Sequence, residues 1–399
     1  MTGEMKESKS NLMIFTLFLG YIMIYVDKLS IGVALVPIAK EFDLTTSQTG
    51  LVMSAFFLGY TFMQIPMGLL NNKIGSRKIL VSSIVFIAIF MTLFGFGMSL
   101  FYFMAIRFMA GAIAHSGYPA SASKEISLNL PLEKRTFAQG ILLASSGIAG
   151  VIGPLLVSPL IENTGWRFAY YIMAGFSLAI ALFLVLFLPK EHAKTSETTV
   201  VVKTKMPVNM VWKDSRVWIL TICAFFINSL VYGFTSWLPT FFTSARGLSL
   251  TEAGTISSAS GVFALVGALG GSYVVGKYFA GKEKQIIALF SLIGGIAMIG
   301  VYMLESVGLL ILLLGVANFA MLVAFVTLMS MPLKLFVGER FSPSYATIGT
   351  GGVLGGVFAP IAIGELVRFA GGSFYTAFLF FLVMGVASGV VILFLKIKK

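Results

Sequence analysis

Residues 12–36 read LMIFTLFLGYIMIYVDKLSIGVALV, an apolar run in which a carboxylate and an ammonium stand side by side at Asp27 and Lys28. At 1.5 Å per residue, about 20 apolar residues cross the hydrocarbon layer of a bilayer, so the run predicts a membrane-spanning helix. A charge at the centre of such a helix costs roughly 2.5–3.5 kcal/mol on insertion scales. It is carried for a task or held by a partner, which makes Tyr25-Val26-Asp27-Lys28 the first candidate site.

The rest of the 399-residue chain repeats the apolar pattern. Hydrophobic residues make up 58% and charged residues 11%, against about 25% charged in a soluble domain. That balance predicts an all-α membrane protein. Further runs lie at 49–70, 79–98, 102–128, 137–160 and 167–188, then at 216–241, 251–276, 285–304, 308–331, 343–366 and 374–395. Twelve transmembrane helices follow, in two pseudo-symmetric six-helix bundles over 1–188 and 216–399. A polar, Lys- and Thr-rich linker over 189–215 joins them and is assigned no chemistry. The first run is too long for the apolar core of a secretory signal and has no small-residue cleavage site after it, so it is read as the first span.

The net charge of +12 does not indicate a nucleic-acid partner, because the basic residues sit in short segments between spans rather than on one surface. Lys73, Arg77, Lys78, Lys134, Arg135, Lys194, Lys203, Lys277, Lys282, Lys334 and Arg340 fall on one side of the membrane; Lys40, Arg167, Arg246 and Arg368 fall on the other. By the positive-inside rule both termini are cytoplasmic. Expected partners are the lipid bilayer and a small molecule, with the chain a monomer. The single cysteine, Cys223, lies in an apolar run and has no partner for an intrachain disulfide. No metal-ligand spacing, nucleophile elbow or cofactor fingerprint occurs, so no cofactor and no enzymatic activity are expected.

An internal repeat supports the division into halves. Gly68-Leu-Leu-Asn-Asn-Lys-Ile-Gly75-Ser-Arg77-Lys78 ends the second span, and Gly271-Ser-Tyr-Val-Val-Gly276-Lys277 through Gly281-Lys282 ends the eighth. Two repeated six-helix halves are the pattern of a secondary transporter. The first of these segments resembles the loop signature of the major facilitator superfamily, with Asn72 standing where Asp is usual; that resemblance gives Gly68, Gly75, Arg77 and Lys78 a loop or gating role.

Closer matches are to the anion:cation symporter branch of that superfamily. Tyr25-Val-Asp27-Lys28 with Ala34 and Pro37, then Gly50, Ser54, Phe56, Tyr60 and Gln64-Ile-Pro66-x-Gly68, resemble its first two helices. Arg107-Phe-x-x-Gly111, Tyr118-Pro119, Pro131-x-Glu133-x-Arg135, Gly165-Trp166-Arg167 and Trp237-Leu-Pro239 follow it in order and spacing. Two departures stand out: Lys28 replaces the usual Arg, and Ala114 stands where many members have Glu, seven residues after Arg107. The resemblance implies proton-coupled uptake of a small organic anion, such as a sugar acid, carboxylate or organophosphate, by alternating access. Proton-coupled efflux of drugs or anions, anion exchange and sodium coupling remain alternatives.

The residues give the same picture by depth and face. Lys28 and Arg107, on spans of opposite direction, both fall roughly 8–12 Å below the outer boundary. Tyr21, Tyr25, Lys28 and Gly32 lie on one stripe, with Asp27 about 100° to the side. Lys28 and Tyr25 are expected to face the pathway and Asp27 a neighbouring helix, toward Arg107. Protonation of Asp27 would release a cation for a substrate anion, so that the two bound species favour one another. The competing reading makes Asp27, Lys28 and Arg107 a structural ion-pair cluster.

His115 is either a neutral histidine bonded to a neighbouring helix or a proton acceptor or substrate donor, since imidazole titrates near neutrality. Its face should lie about 100° from that of Ala114. Tyr60, Gln64 and Tyr232 are candidate substrate donors, with Trp237, Asn318, Tyr345 and Thr350 weaker ones. The glycines at 147, 150 and 153 and at 349, 351, 352, 355 and 356 are read as packing or hinge positions rather than a phosphate loop.

Overall fold

A computed structural model describes residues 7–189, 209–336 and 340–396, and over these the chain is helical, with no strand. Twelve helices are long and apolar enough to cross a membrane. They are α1 Lys9–Glu41, α2 Thr46–Asn71, α3 Ser76–Gly95, α4 Leu100–Asn129, α5 Ala138–Thr164 and α6 Trp166–Phe187, followed by α7 Ser215–Arg246, α8 Leu250–Tyr278, α9 Glu283–Met303, α10 Val307–Leu335, α11 Pro343–Phe369 and α12 Tyr375–Leu393. Each predicted run falls within a few residues of its helix. The helices overrun the runs at their ends because a helix continues through polar residues, whereas hydropathy marks only its apolar part. Most of the expected linker, from 190 to 208, lies outside the described residues, as do the side chains of Asn72 and Glu133.

Local chemistry sets the breaks. Helical backbone after α2 runs on to Ile74 and resumes at Ser76. The intervening Gly75 has φ 91°, a left-handed conformation that costs glycine nothing and other residues about 1–2 kcal/mol. Gly165, with φ 82°, makes the same break between α5 and α6. Before α7, Asp214 accepts the backbone N–H of Arg216 (3.0 Å) and a forked contact from its guanidinium (2.9 and 2.6 Å). These bonds hold the Asp214 carboxyl below its ordinary value.

Two compact units divide the chain: Met1–Leu44, Leu51–Thr195 and Gly247–Ser258 form one, and Thr45–Gly50, Ser196–Arg246 and Ala259–Lys399 the other. In the first, α1 packs along α5 and α6, and α3 along α6. In the second, α7 packs along α11 and α12, and α9 along α12. Each pair of the second unit is a pair of the first advanced by six helices, so the repeat extends to packing.

Glycines bring helices into close contact. A Cβ at Gly59 of α2 would fall on the carbonyl oxygen of Phe108 in α4, and one at Gly111 of α4 on that of Phe56 in α2. The counterpart in the second unit is α8 against α10, where a Cβ at Gly267 would come within 2.6 Å of the Phe319 carbonyl oxygen. Each of these helix pairs carries a π-turn, over Ala110–His115 in α4 and over Gly267–Gly271 in α8. The glycine run of α11 lies on α7, with Gly351, Gly352 and Gly355 against Thr221, Asn228 and Phe225. That is the packing use expected for it.

The second unit's core gathers Val217, Leu220, Cys223, Leu328, Met331, Ile348 and Ile392. Within it the Cys223 thiol lies 3.2 Å from Ser388 Oγ, which is 3.2 Å from Ser291 Oγ. Trp237, which the sequence left as a pocket residue or an interfacial anchor, is buried and donates its indole N–H to the Pro360 carbonyl at 3.2 Å.

Candidate functional site

Three ionisable side chains meet inside the first unit. Asp27 of α1 is 4% exposed, Arg107 of α4 3% and His115 of α4 1%. His115 Nε2 lies 2.7 Å from Asp27 Oδ2, and Arg107 Nη1 lies 3.6 Å from the same oxygen. Asp27 therefore faces α4, the neighbour inferred from its angle on α1. Nearby on α1, Ser30 Oγ donates to the Asp27 carbonyl (2.9 Å) and lies 3.4 Å from the Tyr170 hydroxyl of α6.

The register of α4 accounts for the meeting of His115 with Asp27. In a regular α-helix seven residues turn about 700°, close to two full turns, so position 114 would share the Arg107 face and 115 would point about 100° away. A π-turn places an extra residue in one turn. With the turn at Ala110–His115, eight residues span what seven would, and His115 reaches the carboxylate that Arg107 approaches. Ala114 is fully buried.

Phe56 is the floor of this cluster. The Arg107 guanidinium carbon is 4.5 Å from its ring centroid, and the His115 ring meets it edge-on at 4.7 Å and 86°. A guanidinium over an aromatic face is a favourable contact, worth about 2 kcal/mol when desolvated. It does not satisfy hydrogen bonds, and Arg107 Nε has no partner among the described residues. At 3.6 Å the contact to Asp27 is longer than a hydrogen bond. A buried guanidinium held so loosely is costly unless another acceptor reaches it.

Lys28 is half-buried, with Nζ 5.0 Å from the Phe57 ring centroid and 5.6 Å from that of Tyr25. From Tyr25 an aromatic series continues along α1 to Tyr21 (5.1 Å) and then to Tyr118 of α4 (5.6 Å), whose hydroxyl donates to the Leu17 carbonyl at 2.9 Å. Tyr60 is half-buried with its ring 6.4 Å from Phe56, and Gln64 is half-buried one turn further along α2. Tyr232 is half-buried on α7, in the second unit.

Among the weaker candidates, Asn318 donates to the Leu314 carbonyl and Thr350 to that of Ala346. These are bonds within their own helices. Tyr345 is 38% exposed.

The loop residues do unlike things. Gly75 supplies the break after α2, and Arg77 Nη2 donates to the Val185 carbonyl of α6 at 2.6 Å. Lys78 is exposed, and a Cβ at Gly68 would meet nothing within 4 Å.

The sequence marked Phe56 only within the motif of the second span and gave it no place beneath Arg107, a contact that only the fold makes. On α7, Asn228 is buried and donates to the Ala224 carbonyl within its own helix.

A protein-family model described as Major Facilitator Superfamily matches residues 17–342. A probable sulfoacetate transporter of Cupriavidus necator is 26% identical over 375 residues, covering 88% of this chain and 86% of that protein. A probable galactarate/D-glucarate transporter of Escherichia coli is 26% identical over 281 residues, covering 63% and 62%. Among solved structures, a D-xylose-proton symporter superposes with a TM-score of 0.79 at 16% identity, with 96% of each chain covered. A bacterial homologue of the human lysosomal transporter Spinster superposes at 0.78 and 17%, covering 98% and 95%. At those identities the structural matches speak for the fold alone.

Proposed function

The chain belongs to the Major Facilitator Superfamily, and from that premise we propose that it is a secondary active transporter, of the anion:cation symporter branch, that takes up a small organic anion with protons by alternating access. The observation that carries the reading is Arg107, a guanidinium 3% exposed, stacked on Phe56, with Nε unpartnered among the described residues and its carboxylate contact at 3.6 Å. Such a group is suited to a carboxylate, sulfonate or phosphate, which it grips through two parallel hydrogen bonds. The names of the two relatives, sulfoacetate and galactarate/D-glucarate transporters, point to the same chemistry.

In this reading Arg107 and Lys28 hold the anion. Tyr25, Tyr60 and Gln64 donate hydrogen bonds to it. With Asp27 ionised and His115 neutral, the site carries one cation in excess, which favours an anionic guest. A proton bound at Asp27 removes its negative charge and strengthens that preference, so proton and anion bind cooperatively. Sodium suits the site poorly, since Asp27 Oδ2 already faces an imidazole nitrogen and a guanidinium.

Purified protein in proteoliposomes, given an inward proton gradient and labelled galactarate or sulfoacetate, is expected to accumulate one of them above equilibrium, and a protonophore is expected to abolish the gain. Asp27→Asn is expected to retain counterflow exchange and lose uphill accumulation. Accumulation that survives in Asp27→Asn would remove Asp27 as the coupling site, and a protein stabilised by lipophilic cations alone would overturn the anion assignment.

A further inference from the structure

Asp27 Oδ2 is approached by two donors of α4 that stand at unequal distances. His115 Nε2, at 2.7 Å, is within range of a strong hydrogen bond; Arg107 Nη1, at 3.6 Å, is outside it. Left to themselves, a guanidinium and a carboxylate close into a forked pair. His115 can intervene only because of the π-turn over Ala110–His115. Without the extra residue α4 would present the Ala114 methyl at this point and leave Asp27 to Arg107.

The imidazole is well held for such a task. It is 1% exposed and lies edge-on to Phe56. Its Nδ1 is buried with no hydrogen-bond partner among the described residues, so Asp27 is the polar group that fixes the ring. The charged and titratable groups around it are Arg107 on its own helix, Asp27 and Lys28 on α1, and, against Asp27 and Arg107, the Tyr170 phenol of α6.

We propose that His115 is a positioning residue: through the π-turn of α4 it holds the Asp27 carboxylate back from Arg107 and thereby keeps the guanidinium open to the transported anion. The proposal rests on the anion-transport reading above. It replaces a site in which Asp27 must be protonated before Arg107 is released by one in which the histidine has already parted them.

The test compares wild type, His115→Ala, His115→Gln and the double variant His115→Ala/Asp27→Asn in detergent, reading the Kd of galactarate and of sulfoacetate by ligand-dependent thermal shift. Capture of Arg107 by Asp27 is expected to weaken binding at least about ten-fold in His115→Ala. His115→Gln, which can still donate from its amide, should stay near wild type. The double variant, lacking the carboxylate, should recover to within about three-fold of wild type. A double variant no better than His115→Ala, or unchanged affinity in His115→Ala, overturns the proposal. Should His115→Ala not fold, His115→Leu, closer in volume, carries the same comparison.

Failure of wild type to bind either anion would sink the transport reading instead. The positioning role is then decided without ligand, from the Tm of Arg107→Ala made in the wild-type and in the His115→Ala background. The proposal requires a clearly larger loss of Tm in the second, where Arg107 has become the partner of Asp27; equal losses overturn it.

Discussion

Arg107 is the residue on which the transport reading turns, and a charge-conserving change separates its geometry from its charge. Arg107→Lys keeps the cation but surrenders the planar fork and the flat contact with Phe56. The expected outcome is a KM for the organic anion raised about 10- to 100-fold, the equivalent of one charge-assisted hydrogen bond, with kcat much less affected, measured by initial uptake rates in proteoliposomes. A normal KM would mean that the anion is held elsewhere. Lys28 shows the other style of cation, a point charge resting on the rings of Phe57 and Tyr25, and is suited to a second acidic group without demanding one orientation. Asp27, Lys28 and Arg107 were legible in the sequence because charge in an apolar span stands out at once. The role of Phe56 was not: it was named only within the second-span motif, and only the fold brings it beneath the guanidinium.

At the scale of elements, the meeting of α2 and α4 fixes the site. Gly59 and Gly111 each bring one helix onto a backbone carbonyl of the other, at Phe108 and Phe56, and a backbone cannot yield as a flexible side chain can. Gly59→Val is therefore expected to lower Tm by several degrees or to abolish folding, since overpacking typically costs about 1–3 kcal/mol and more where nothing can shift. Gly68→Ala, on the same helix but with nothing within 4 Å of a new methyl, is expected to leave Tm unchanged. Thermal melts of the two variants in detergent check the contrast, and equal effects would discount the close approach. The π-turn was invisible from sequence, because Ala110-Gly-Ala-Ile-Ala-His115 suits an α-helix equally well. The extra residue is a tertiary effect, and for that reason the sequence directs attention to Ala114 while the structure brings His115 to Asp27.

For the whole molecule, the twelve helices were legible because the bilayer imposes length and apolarity together, and the repeat reappears as packing pairs shifted by six. Orientation rests on the distribution of Lys and Arg between loops. Cysteines introduced at Lys78 and at Lys40, both exposed, are expected to react with an impermeant maleimide from opposite sides of the membrane, Lys78→Cys from within the cell and Lys40→Cys from outside. Labelling in the reverse sense would invert the topology. The chain is ready for such work as it stands. Its one cysteine, Cys223, is fully buried beside Ser388 and Ser291, and a thiol sealed in a core is inert to such reagents. The native protein is thus a silent background for fluorophores and spin labels. One label on each unit would let a movie of the transport cycle be recorded from an otherwise unaltered sequence.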